Sequence, residues 1–333
     1  MSHARSDIEL LAETARAALA ELPTARRAPP DSSIAWAIAD EMGWFELLRP
    51  EPNGGLGLPL SAAVGVCLAA GEVAFPGPVA EAISLGAAVD ADDRRSFTLG
   101  WVGPASRGPR AALVQLGQHT RHALLVVPGE REFQSGDIVQ LPHDSHGDQA
   151  CELGLVTPWG SAEVPPTLLS PHDTLTRWLL LTAAYELGMA NAALSLSVRH
   201  ALTREQFGRP VGGFQSVQQL LAQMQADAVG CQCLLDATAR DIDDGVGTVA
   251  AAAGARAHVA RSARSVVERA VQVHGGIGFT QEVPLHLFLK RSRTWSDVAG
   301  SPEALAELVG RQRLSALTDR GLPESSSTAP STT

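Results

Sequence analysis

The feature that most limits how this chain can fold lies after Pro171. Four long segments, Thr174 to Thr203, Phe214 to Asp243, Thr248 to His274 and Pro284 to Leu317, carry helical texture with short connections between them. Helices of this length joined so tightly bury their apolar stripes against one another, which predicts a bundle. The first third is also helical in texture. Ile8, Leu11, Ala15, Leu19 and Leu22 form an apolar stripe after the capping signal Ser6-Asp7, and Pro23 ends it. Asp31-Ser32-Ser33 opens a second helix that stops at Gly43, and Leu60 to Val73 and Pro78 to Ala88 add two Ala-rich helices. From Ser96 to about Thr167 the texture changes to short β-prone runs (Phe97 to Val102, Ala111 to Leu116, Ala123 to Val127, Asp137 to Leu141) separated by Gly and Pro, which predicts a small antiparallel β domain. The expected fold class is α+β, mostly α. It comprises an N-terminal helical domain over 1–95, a β middle domain over 96–168, a C-terminal four-helix bundle over 169–320 and a disordered tail over 321–333, too poor in apolar residues to order itself.

Composition removes several function classes. A net charge of -10 with no Lys/Arg-rich run argues against a nucleic-acid or anionic-membrane face. The longest apolar stretches, such as Trp178 to Ala184, fall short of the ~20 residues of a membrane helix, and Met1 to Asp7 contains no apolar signal core, so a cytoplasmic location is expected. Cys67, Cys151, Cys231 and Cys233 match neither a disulfide framework nor zinc spacing and read as free thiols. His143-Asp144-Ser145-His146 with His119 and His122 offers no closed ligand set, so no metal is expected, and Gly160-Ser161 lacks the pattern around a nucleophilic serine. Arg256, Arg261, Arg264 and Arg269 read as a solvated or interface face balanced by the acidic 236–244 stretch, and Trp178 and Trp295 read as core.

Two motifs carry chemistry. The first is Arg204-Glu205-Gln206-Phe207-Gly208-Arg209-Pro210-Val211-Gly212-Gly213-Phe214-Gln215-Ser216-Val217-Gln218, and the second is Gln272-Val273-His274-Gly275-Gly276-Ile277-Gly278-Phe279-Thr280-Gln281-Glu282-Val283-Pro284. An arginine and a glycine turn suit a pyrophosphate, the glutamine amides suit ribityl, phosphate or adenine groups, and Phe207 supplies an apolar wall. Alone, the glycine turn reads as a bend between helices, and it is not the G-x-G-x-x-G of a Rossmann site. Together, in this order and spacing, the motifs resemble the acyl-CoA dehydrogenase family. Gly43-Trp44-Phe45 and Gly54-Gly55-Leu56-Gly57 are similar to that family's N-terminal domain.

The resemblance implies FAD as cofactor and Arg204, Gln206, Phe207, Gln215, Gln272, Gly275, Gly276 and Ser301 as its ligands, reaching across a subunit interface to a partner's flavin. It implies α,β-desaturation of an acyl-CoA thioester, with an electron-transfer flavoprotein as electron acceptor. Such chemistry needs a carboxylate base, and the position where the family carries its glutamate is Ala299. An alternative family position on the first bundle helix aligns to Thr176, Arg177 or Trp178, none of them acidic. Glu186 stands in an apolar stretch of that helix and is the substitute candidate, read either as a base or as an interhelical partner, and Asp297 is a weaker one. The family's flavin-ring strand motif has no counterpart in 96–167. The chain thus resembles the shortened, base-less subunit of actinobacterial α2β2 heterotetramers acting on CoA esters of steroid side chains, paired with a full-length acyl-CoA dehydrogenase. The alternatives are a self-sufficient homo-oligomeric dehydrogenase and a flavin-free scaffold or binding protein.

Overall fold

The computed structural model describes residues 2–20, 22, 32–89, 96–102, 112–117, 120–127, 131–141, 152–158 and 164–319. The 321–333 tail, Cys151, His119, the 143–146 cluster and Gly160-Ser161 lie outside those residues, as does the side chain of Asp297.

The N-terminal helices are α1 (Ser2–Ala20), α2 (Ser32–Glu41), α3 (Leu60–Glu72) and α4 (Val79–Ala88). α1 is already helical at Ser2, so Ser6-Asp7 sits inside the helix and not at its cap. Its stripe is as expected at Ala15, Leu19 and Leu22, all buried. The N-cap of α3 is Pro59, whose ring offers no hydrogen-bond acceptor. The cap comes from far along the chain: the Asp243 carboxylate accepts from the backbone N–H of Leu60 (2.6 Å) and Ser61 (3.1 Å). A carboxylate there satisfies orphan donors and complements the helix dipole.

The strands are β1 (Phe97–Trp101), β2 (Ala112–Leu116), β3 (His122–Val126), β4 (Gln134–Gln140) and β5 (Glu152–Pro158), in the order β1-β3-β4-β5-β2. The sheet is mixed, which corrects the all-antiparallel expectation: β1 runs parallel to β3, with Leu99 opposite Leu124, while the other pairs are antiparallel. β5 was not legible as a strand. Ala112, Val114, Ala123, Leu125 and Val156 form a small apolar core of their own, and Thr98 on one edge donates to the Gln115 carbonyl of the other (2.8 Å).

The C-terminal helices are α5 (Pro171–Thr203), α6 (Gln215–Asp243), α7 (Val249–His274), α8 (Leu285–Val298) and α9 (Pro302–Asp319). The segment expected as one helix from Pro284 to Leu317 is two, broken at Gly300, whose φ is +90°. Ser301 then accepts from the Ala304 N–H (3.2 Å) and Pro302 takes the first helical position, a restart signal readable in Gly-Ser-Pro. α5 is the axis of the molecule. By length and composition it could cross a membrane, contrary to the sequence reading, but 78% of its apolar window is buried inside the structure, as befits a core helix. It crosses α3 at closest range through Gly71 and Gly188. A Cβ on Gly71 would lie 2.0 Å from the Tyr185 carbonyl oxygen, and one on Gly188 would lie 2.1 Å from that of Leu68.

Asp243→Ala is expected to lower the unfolding free energy by about 1 kcal/mol, the usual cost of a lost helix cap, read as a shifted denaturant midpoint with unchanged slope. An unchanged midpoint would show that the α6-to-α3 cap contributes nothing.

Candidate functional site

Two surface arms meet at one end of the bundle. The first leaves α5 at Arg204, whose backbone N–H donates to the His200 carbonyl (2.8 Å). Glu205–Gln206 and Arg209–Pro210 pair as a two-stranded hairpin, β6 and β7, with Phe207 (φ 53°) and Gly208 (φ 76°) at its tip. Positive φ at both tip positions is the twist that a two-residue hairpin demands, and a phenylalanine there carries a strain of about 1–2 kcal/mol. Phe207 is nonetheless 92% exposed, its ring edge-on to Phe214 with centroids 6.2 Å apart, while the Arg209 guanidinium lies 4.1 Å over Phe214. Arg204, Gln206 and Gln215 are exposed on the same arm, Gln206 holding the Glu205 carbonyl with its amide (2.7 Å).

The second arm begins where α7 ends. Gln272 is exposed on the last turn, His274 closes the helix, and Gly275 (φ 63°) starts a 3-10 turn through Phe279. Around Gly275 and Gly276 a Cβ would meet no atom within 4 Å, and Phe279 is 75% exposed. The arms are joined at their roots, since the His200 and His274 rings stack at 4.3 Å. Together they offer a cation, three amides, an exposed aromatic ring and an open glycine turn, a donor set that fits a pyrophosphate and its flanking groups. Ser301 stands apart from them, since its hydroxyl caps α9.

The position of the expected base is sealed. Ala299 has no exposed surface, and the Trp101 ring lies against Gly300 so closely that a Cβ there would sit 1.8 Å from it. Trp178 and Trp295 are both fully buried, Trp295 stacking on Tyr185 at 4.0 Å. Thr176 turns its hydroxyl to the His172 carbonyl (2.8 Å). A cleft of about 640 Å³ opens between α1, α3, α5 and the start of α8, at Arg16, Glu72, Arg199 and Phe288; neither Ala299 nor any of the expected cofactor ligands lines it.

Glu186, the substitute candidate, is 2% exposed, and its Oε2 accepts from Arg256 Nη1 at 2.7 Å. Arg256 is itself completely buried, which corrects its placement on a solvated face, and its Nη2 donates to the Trp295 carbonyl (2.8 Å). The structure therefore places Glu186 as an interhelical partner.

Residues 173–314 match the acyl-CoA dehydrogenase C-terminal domain. The chain is 27% identical over 318 residues to the acyl-CoA dehydrogenase IpdE2 of Mycolicibacterium smegmatis, covering 88% of this chain and 94% of that protein. Among solved structures, the Tcur3481-Tcur3483 steroid acyl-CoA dehydrogenase variant matches with a TM-score of 0.74 at 20% identity, over 95% of this chain and 99% of the other. The ChsE4-ChsE5 complex of Mycobacterium tuberculosis matches with a TM-score of 0.72 at 18% identity, over 92% and 97%. Residues 173–314 therefore form an acyl-CoA dehydrogenase C-terminal domain, and the chain as a whole shares the fold of these structures.

In this chain the exposed arms and the core contrast sharply. Among the described residues no cluster of His, Cys, Asp or Glu is arranged to hold a metal. Cys67 and Cys231 are buried thiols and Cys233 an exposed one. One core residue that sequence reasoning missed is Glu81, on the first turn of α4. It is 1% exposed, and among the described residues neither carboxyl oxygen has a well-formed hydrogen bond, the Trp178 indole and its own backbone N–H being the donors that face it. Burial pushes its carboxyl up to about 7 against the favourable fields of its own backbone N–H, Trp178 and Arg256. Burial likewise pushes Glu186 up to about 7 against the pull of Arg256.

A carboxyl whose folded pKa is raised makes its contribution below the unfolded value and loses it as pH rises through the folded one. The wild-type chain minus Glu81→Gln difference in unfolding free energy should therefore fall between about pH 4.5 and about pH 7, and be flat above, as Glu81 moves from its ordinary 4.5 to about 7. Denaturant titrations of both proteins across that window check this. A difference that does not change with pH would mean that Glu81 is ionised in the fold.

Proposed function

We propose that this chain is a subunit of an FAD-dependent acyl-CoA dehydrogenase that lends its two arms to a partner's flavin and leaves the base to that partner. Its family supports an oxidoreductase acting on acyl-CoA thioesters. The observation that carries the subunit reading is the contrast between exposed, strained arms and a sealed, base-less position at Ala299. Strained and exposed aromatic groups persist where they meet something outside the chain.

On this reading Arg204 pairs with the pyrophosphate, the Gly275-Gly276 turn presents backbone N–H groups to it, and Gln206, Gln215 and Gln272 bond its polar edges. Phe207 covers an apolar face and excludes water. FAD, when bound, would supply a hydride acceptor for the β-carbon, and a carboxylate of the full-length partner would take the α-proton. An electron-transfer flavoprotein would serve as the electron acceptor of the complex. The acyl group is a bulky one such as a steroid side chain, a reading supported by the name of one structural neighbour, the Tcur3481-Tcur3483 steroid acyl-CoA dehydrogenase variant. The alternative with Glu186 as the chain's own base loses support from the Glu186–Arg256 pair. The sealed core is equally compatible with a flavin-free scaffold, which the experiment separates.

The purified chain should be colourless alone. Co-expressed with a complete acyl-CoA dehydrogenase encoded beside it, it should form a yellow mixed tetramer with about one FAD per pair of chains, since two half-sites make one. A yellow, active homo-oligomer would return the search to a base within this chain, and a colourless mixed complex would favour the scaffold. Arg204→Ala should weaken FAD retention by the complex roughly tenfold or more, as loss of a charge-assisted bond of about 1.5–3 kcal/mol implies, without changing helical content by circular dichroism. Undiminished flavin occupancy in that variant would refute the trans-site.

A further inference from the structure

The two arms come from helix ends far apart in sequence, yet they have to meet one cofactor together. Among the described residues, the contact at their roots is the stack of His200 on His274, with ring centroids 4.3 Å apart and planes at 26°. His200 is in the last turn of α5, and its carbonyl receives the N–H of Arg204. His274 is the last residue of α7, directly before Gly275. Its Nδ1 lies 2.8 Å from the Ala270 carbonyl, so Nδ1 carries the proton and donates. In this tautomer the neutral ring presents its face to His200.

We infer that His200 and His274 are positioning residues that hold the Arg204 arm and the Gly275-Gly276 arm in register, and that protonating the pair releases them. The inference rests on the flavin-lending reading above and adds a control to it. Two neutral imidazoles at this distance attract as stacked rings. A proton on either places a cation beside the other ring and near Arg204, and a proton on both sets like charges a stacking distance apart. Arg204 and the partner imidazole are the charges that act on His200, while His274 is bonded to the Ala270 carbonyl. Burial, His274 and Arg204 lower His200 below its ordinary 6.5, and burial lowers His274 against the help of that carbonyl. Both rings are therefore neutral near pH 7 and take up protons only as pH falls below the ordinary imidazole range. The sign follows: the arms stay in register above that range and come apart below it.

The test uses the mixed complex and the chain alone. In the complex, FAD released into the filtrate is measured by fluorescence from about pH 7.5 down to about pH 5. The wild type should lose FAD several-fold faster at the acid end. His200→Phe, which stacks on His274 but takes no proton, should flatten that profile, and His200→Ala should retain FAD poorly at every pH. In the chain alone, the amide resonances of Gly275 and Gly276 should follow two titration steps in the wild type, those of His200 and His274, and only the His274 step in His200→Phe. A wild-type FAD profile unchanged by His200→Phe would overturn the clasp, as would imidazoles that titrate independently at their ordinary value. A complex that holds no FAD at any pH would sink the subunit reading, and the glycine resonances would still decide whether the two histidines couple the arms.

Discussion

Arg256 is the side chain on which the interior converges. Completely buried on α7, it bonds the Glu186 carboxylate on α5 and the Trp295 carbonyl on α8. That carbonyl is among the last four of α8, which have no partner within the helix, so the guanidinium caps α8 with a full positive charge where the helix dipole is negative. Removing one partner of such a pair strands the other charge out of water, at a cost of about 3–5 kcal/mol. The pair therefore fixes where α8 ends, and with it the position of Ala299 and Gly300.

The same device recurs. Arg291, also fully buried, donates to the Phe75 carbonyl (3.0 Å), to that of Ala74 and to the Tyr185 hydroxyl (2.8 Å), steadying a turn in which Ala74 has a φ of 51°. Arg49 reaches the Val89 carbonyl (2.7 Å) and the Asn53 carbonyl, tying the Gly54-Gly55 turn to the end of α4. The glycine-rich Gly54 to Gly57 stretch, taken from sequence as a family feature, thus has a local structural cause. Three buried cations are turned toward main-chain carbonyls at chain turns and helix ends. Polar chemistry inside this chain is spent on holding helix ends, and polar chemistry at the arms is left open.

Much of this was legible because helices announce themselves locally. The ends of α3, α6 and α7 fall within a residue or two of the positions read from Pro, Gly and Asp signals, since caps and breakers act over a single turn. The arms were legible as motifs for the same reason. What escaped was set by contacts distant in sequence. A parallel β1–β3 pair needs a crossover that no short pattern encodes. The burial of Arg256 depends on Glu186, seventy residues away, and on a carbonyl of α8. The Asp243 cap of α3 spans 183 residues, so the acidic stretch looked merely solvated. The break at Gly300 was visible in Gly-Ser-Pro but was overridden by the helical texture on both sides.

The absence of a carboxylate at 299 is more than one exchanged residue. An acid there would enter a site with no exposed surface, beside a Gly300 already covered by Trp101. Burying a carboxylate without a partner forces it to stay protonated or to open the packing. The nearby cation able to pair with it, Arg256, is already bonded to Glu186 and to the end of α8. Around Ala299 the tryptophans, the buried arginine and the glycine break form one packed unit, in which a base would have neither room nor a counter-ion. At the other end of the bundle, Phe207 is held strained and bare beside an open glycine turn. A chain so arranged is closely packed around Ala299 and leaves its aromatic and glycine-rich arms open to whatever lies outside it.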